Sequence, residues 1–311
     1  MPRSGGGSAS SGNFVVAVTN SGTATIAAAN VAPYVVSRSI GAAPSNYTAV
    51  DVDTQYLWRT TVHDDNSLTD IDSVTIYVYK TGATKGSFDE QRSYGFRWLR
   101  VGDVWQELTG AGWGTSYTYL NAAGSSHDTI SKTVKEGEWR FAAKLSKLAH
   151  YTSTNTDWNY EANVRDRTGA SGSRTGLLDV NLYISIVIVS AIDFGAVAAG
   201  VANQSALSMP AYTTYTANAI VKIQIRGGGD PTNEYGDTFP LSNIYDGQTT
   251  PASNNDGKKL TTSAQDWKTG LGVALNSQQP MYWFVTTPDP FPAGSYTFTY
   301  YINVDLQTWA T

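Results

Sequence analysis

Apolar positions along this chain come in short runs that alternate with Thr, Ser or Asn and end on Gly, Pro, Asn or Asp. A period of two bounded by turn residues is the pattern of half-buried strands, and it recurs from one end of the sequence to the other. It predicts strands at 34–37, 57–62, 74–79, 94–99, 139–143 and 159–164, then at 212–216, 219–226, 281–286 and 295–305. In the last of these Gly294 supplies the turn, and Tyr296, Phe298 and Tyr300 fall on one face. Helical spacing is confined to 142–149, where Leu145, Leu148 and Ala149 could share one face of a short helical turn between strands.

The fold class expected is therefore all-β, with two β-sandwiches in tandem. Residues 1–30 read as a Gly/Ser lead with one or two strands of their own, 14–18 and 23–28. Residues 31–174 form a first, immunoglobulin-like sandwich without the antibody disulfide, and 175–311 a second. The hinge falls in the Gly-Ala-Ser-Gly-Ser stretch at 169–173, and the apolar run from Leu177 to Val189 opens the second block. An early strand on a flexible leash can pair within its own domain or add to a neighbour's sheet, with Phe14, Val16, Val18, Thr25 and Ile26 as the contact residues in the second case.

Composition narrows the function. Charged residues are 15% of the 311, the net charge is -5, and Lys and Arg are scattered and outnumbered, which disfavours a phosphate-binding face. Aromatics reach 12%, and Trp58, Trp98, Trp105, Trp113, Trp139 and Trp158 are expected to fill the first core. There is no cysteine, so neither disulfides nor thiolate metal sites are available. No stretch is long and apolar enough for a membrane span, and the first residues lack the apolar centre of a secretion signal.

Catalytic patterns are missing. His63, His127 and His150 stand at no metal-binding spacing and are expected on the surface or in loops; no nucleophile elbow or phosphate-binding loop occurs. The chain reads as a non-enzyme. Trp105, Trp113 and Tyr117, in a Gly-rich stretch, offer a surface for stacking sugar rings, or else core or interface packing. The densest acidic stretch is Asp64-Asp65-Asn66-Ser67-Leu68-Thr69-Asp70-Ile71-Asp72, and two readings stay open for it. Asp64, Asp65, Asn66, Asp70 and Asp72 could supply oxygens to calcium, the one cofactor suggested, although the EF-hand spacing is not met. Equally, Asp and Asn could close a turn on their own backbone, with Leu68 tucked inward. Asn46 and Asn203 head Asn-x-Ser/Thr sequons and are candidate glycosylation sites.

Several of these stretches resemble known surface proteins. Val31-Ala32-Pro33-Tyr34-Val35, the acidic stretch, and Val164-Arg165-Asp166-Arg167-Thr168-Gly169 resemble the immunoglobulin-like repeats of archaeal and bacterial cell-surface proteins. Ile192-Asp193-Phe194-Gly195-Ala196-Val197-Ala198-Ala199-Gly200, with the Pro-Ala-Gly-Ser-Tyr-Thr-Phe ending, is similar to β-sandwich domains of fimbrial and cell-wall-associated proteins. Together they cover most of residues 31 to 305. The resemblance implies an extracellular structural subunit of an S-layer, pilus or filament whose partners are copies of itself. A viral coat or fibre protein, located in the virion, and a carbohydrate-binding surface module are the alternatives from other classes.

Overall fold

The computed structural model describes residues 29–41, 47–152, 157–188, 191–247 and 257–307. The chain divides into two units, Met1–Asn30 and Val31–Thr311, and the strands described all lie in the second. The N-terminal strands expected at 14–18 and 23–28, with Phe14, Val16, Val18, Thr25 and Ile26, lie outside the described residues, as does Asn46.

The structure is all-β. Its first eleven strands are β1 (Tyr34–Ile40), β2 (Ala49–Val50), β3 (Tyr56–His63), β4 (Ile71–Lys80), β5 (Ser93–Leu99), β6 (Val104–Thr109), β7 (Gly112–Gly114), β8 (Ser126–His127), β9 (Glu136–Ala143), β10 (Trp158–Asp166) and β11 (Ser171–Val180). They form a four-stranded sheet, β1-β3-β9-β8, and a seven-stranded one, β2-β11-β10-β4-β5-β6-β7. Period two does the sorting: Trp58, Thr60 and Val62 of β3 are buried while Leu57, Arg59 and Thr61 are half-buried. Aromatic rings bridge the two layers, Trp58 against Tyr160 at 5.3 Å and Trp105 against Phe141 at 4.8 Å. The polar ends of Trp58 and Tyr160 are satisfied, with the Trp58 indole N–H on Ala143 O and the Tyr160 hydroxyl on Arg59 O.

A second core is built by β12 (Ile184–Val187), β13 (Gln204–Ser205), β14 (Ala211–Ala217), β15 (Val221–Gly227), β16 (Ile244–Gly247), β17 (Lys258–Lys259), β18 (Gln265–Leu271), β19 (Ala274–Val285) and β20 (Tyr300–Leu306). One sheet runs β12-β14-β19-β16-β17, with β13 also on β19; the other is three strands, β18-β15-β20. In β15, Val221, Ile223 and Ile225 are buried and Lys222, Gln224 and Arg226 are not, so a single strand supplies the three-stranded sheet's central inner face.

Three local expectations change. The 142–149 segment is not helical: β9 runs through Ala143 and a turn follows, closed by Ala149 N on Ser146 O at 3.0 Å, which buries Leu145 and Ala149 without an amphipathic face. The expected hinge is a hairpin. Asp166 Oδ1 accepts from the N–H groups of Thr168 and Ala170 and from the Thr168 hydroxyl, Gly169 takes φ 94°, and β11 returns along β10. Leu178 and Val180 thereby close the first core instead of opening the second. Finally, 292–299 is not regular strand, yet Tyr296, Phe298 and Tyr300 still alternate with exposed Ser295, Thr297, Thr299 and Tyr301.

Candidate functional site

The acidic stretch is a crossover from one sheet to the other, since β3 belongs to the four-stranded sheet and β4 to the seven-stranded one. Leu68, Ile71 and Val74 are fully buried, which pins the turn to the core. Asp64 Oδ1 accepts the Asn66 N–H at 2.8 Å, an Asx-type closure, and Asp64 O accepts the Ser67 N–H. Asp65 turns outward to His63 and Lys135, which hold its carboxyl below the usual range, and Asn66 Oδ1 accepts the Val31 N–H. Asp70 and Asp72 give their main-chain carbonyls to Arg167 and Arg100, and the Arg100 guanidinium sits on Leu68 O and Thr69 O. Among the described residues no group of three or more His, Asp or Glu is arranged to hold a metal ion. Asp64 is the exception in character. It is fully buried, its Oδ2 has no hydrogen-bond partner among the described residues, and burial, with the charges of Asp70 and Asp166, pushes its carboxyl up.

The aromatic residues expected to stack on sugars are otherwise engaged. Trp105 is buried, and Trp113 is half-buried with the Arg97 guanidinium over its ring at 4.3 Å. Tyr117 is exposed but donates its hydroxyl proton to Trp105 O at 2.7 Å. No open stacking face spans the three, because core packing took one ring and a cation another. The histidines are less peripheral than expected. His127 is wedged among Trp98, Trp105 and Trp139 with Nε2 3.0 Å from Asp103, His63 stacks on Tyr34, and His150 is held down in pKa by burial and by Lys80. They remain far apart in role, each with its own partners. Asn203 is half-buried in a left-handed turn, φ 56°, ahead of β13.

Two features of the second core escape sequence reading. The first is a cleft of about 850 Å³, floored by Phe194, Phe239, Phe291, Tyr296, Phe298 and Tyr300. Its rings touch one another, Phe291 on Tyr296 at 5.1 Å and Phe239 on Phe291 at 5.4 Å. They come from three distant stretches, so only the Tyr296, Phe298 and Tyr300 alternation was legible beforehand. The second is Asp246 on β16, 1% exposed, with no hydrogen bond to either carboxylate oxygen within bonding distance and angle among the described residues. Burial pushes its carboxyl well up, and the Tyr282 main chain and the Lys268 charge offset that only in part.

At the side of the same block β12 ends its sheet. It pairs with β14 alone, and its other edge carries no ladder among the described residues. Around it Leu182, Val187 and Ile188 are exposed, Val187 by 66%, and no charged residue occurs from Leu182 to Ile188. No helix of the described residues is long and apolar enough to cross a membrane. No family model and no curated protein matches the chain.

Proposed function

We propose that the protein is a structural subunit that assembles with copies of itself outside the cell, as a filament, pilus or surface lattice, through sheet-edge pairing and aromatic contacts. The observation that carries this reading is the β12 edge. A row of main-chain donors and acceptors flanked by exposed Val and Ile, without Lys, Glu or Pro to blunt it, is a liability in a monomer and a joint in a polymer. The reading also draws on the resemblance of the sequence to modular surface proteins, and it assigns the immunoglobulin-like role to the first core. Chemistry at the joint is non-covalent: an added strand satisfies the open ladder, and the apolar side chains beside it leave water.

The segment Phe14 to Ala28 is the proposed connector, since it is uncharged and alternates like a strand that could complete a neighbour's sheet. Electron micrographs and sedimentation of the purified chain across a concentration series test the reading. Filaments or sheets that grow with concentration support it; single particles at every concentration overturn it. Deleting residues 1–30 tests the connector, and unchanged polymers would remove that role while leaving the β12 joint standing.

A further inference from the structure

The aromatic cleft is bounded by a wall, Ala191–Val197, that alternates like a strand as far as Phe194 and then turns at Gly195, which takes φ 63°. From Ala191 to Gly195 exposed Ala191, Asp193 and Gly195 alternate with half-buried Ile192 and Phe194, and the half-buried pair packs on the second core. The segment joins no sheet among the described residues. Asp193 O accepts the Leu207 N–H at 2.8 Å, while Ile192 and Phe194 make no main-chain hydrogen bond among the described residues and leave one edge open. An extended peptide laid along this wall could bond to it and drop alternate side chains onto the rings of Phe291, Tyr296, Phe298 and Tyr300.

Charge selects among extended peptides. No Lys or Arg lines the cleft. Around it stand four exposed carboxylates: Asp193 in the wall; Asp230 next to the lining residue Pro231; Glu234, whose Oε2 accepts the Ser295 N–H at 2.9 Å; and Asp237, bonded to Asn233. Each takes a hydrogen bond from a neutral group, Asp193 from Gly195 N and Asp230 from Leu241 N, and none is ion-paired among the described residues. Aromatic faces beside unneutralised carboxylates favour a cation twice, through the ring quadrupole and through direct attraction. The volume is that of a site for a short peptide stretch and exceeds what a single ammonium group needs.

We propose that this cleft binds an extended basic peptide, apolar on one face and carrying Lys or Arg on the other, by strand addition along Ala191–Phe194. This goes beyond the assembly reading and does not depend on it, because the occupant is a partner chain with a basic, apolar strand. The uncharged segment Asn13–Thr19 of a second copy fits the rings but leaves the four carboxylates unmatched.

The test uses three labelled, end-capped peptides on the full chain, read by fluorescence anisotropy: Val-Lys-Phe-Lys-Val-Lys, its Glu counterpart, and Asn13–Thr19. The basic peptide is expected to bind about tenfold or more tighter than the acidic one, equivalent to ~1.4 kcal/mol, with the gap narrowing as salt rises. The double variant Asp193→Asn, Glu234→Gln keeps the oxygens that accept from Gly195 and Ser295 and is expected to remove most of the preference while leaving the melting temperature in place. Equal binding of all three peptides, or binding of none, overturns the proposal. Tightest binding by Asn13–Thr19 also overturns it and assigns the cleft to a second copy of this chain.

Discussion

Replacing Val187 with Lys puts a charge on the β12 edge. In the free chain Val187 is 66% exposed, so the substitution falls in the range of ordinary surface changes, about ±0.5 kcal/mol on folding. In an assembly joined along β12 the exposed two-thirds would become buried. Full burial of a valine side chain is worth at least ~1.5 kcal/mol, so this share contributes about 1–2 kcal/mol per joint. The lysine forfeits that and brings an ammonium to the joint, which raises the dissociation constant for subunit addition about 5- to 30-fold. In a polymer that constant is the critical concentration, so pelleting across a dilution series reads it directly, with circular dichroism as the check on folding. If folded Val187→Lys pellets at the same critical concentration as the parent, β12 is not the joint and the reasoning from its exposed edge fails.

Other residues give independent tests. Because burial raises the Asp246 carboxyl, the folded state holds its proton more tightly than the unfolded chain does; its contribution is greatest below the ordinary carboxylate value near ~4 and is lost as pH rises towards the folded value. Melting curves should therefore show Asp246→Asn gaining on the parent across that window, by up to about 1.4 kcal/mol per pH unit, and parallel curves would refute it. Gly294 has φ 151°, and a Cβ there would stand 2.5 Å from Asn233 Nδ2, the amide that ties Asp237, Ala293 and Tyr296 together beside the cleft. Gly294→Ala is expected to cost about 1–3 kcal/mol in thermal unfolding, and a neutral result would mean that this lip is not fixed. Calcium or a chelator should leave the melting temperature unchanged, since Asp65 is engaged by His63 and Lys135, and Asn66 by Val31 N; a rise with calcium would mean that Asp64 Oδ2 takes an ion after all.

The strands were legible because period two is a local property. β3, β5, β9, β10, β14 and β15 all lie where alternation and turn residues place them, within a few positions. The Asp64 turn was legible for the same reason: an Asx closure needs only its own neighbours. Errors arose where a local pattern met a distant partner. Leu145 and Ala149 have helical spacing but are drawn into the core as a turn, and Gly-Ala-Ser-Gly-Ser has the composition of a linker but pairs along β10. Trp113 was legible as an aromatic in a Gly-rich stretch, whereas Arg97 over its face is a cross-sheet matter.

What the sequence determined by itself is the all-β class, the position of most strands, the aromatic content of the cores and the absence of thiol chemistry. Each follows from residue type or from spacing within a few residues. The tertiary structure alone decided which strands share a sheet, that β12 ends one with no ladder on its other edge among the described residues, and that Phe194, Phe239 and Phe291 meet Tyr296 and Phe298 over one cleft. It also decided that Asp246, unremarkable in the sequence, is buried on β16. These depend on contacts between residues far apart in the chain, where strand alternation limits which face a side chain presents but not what that face meets.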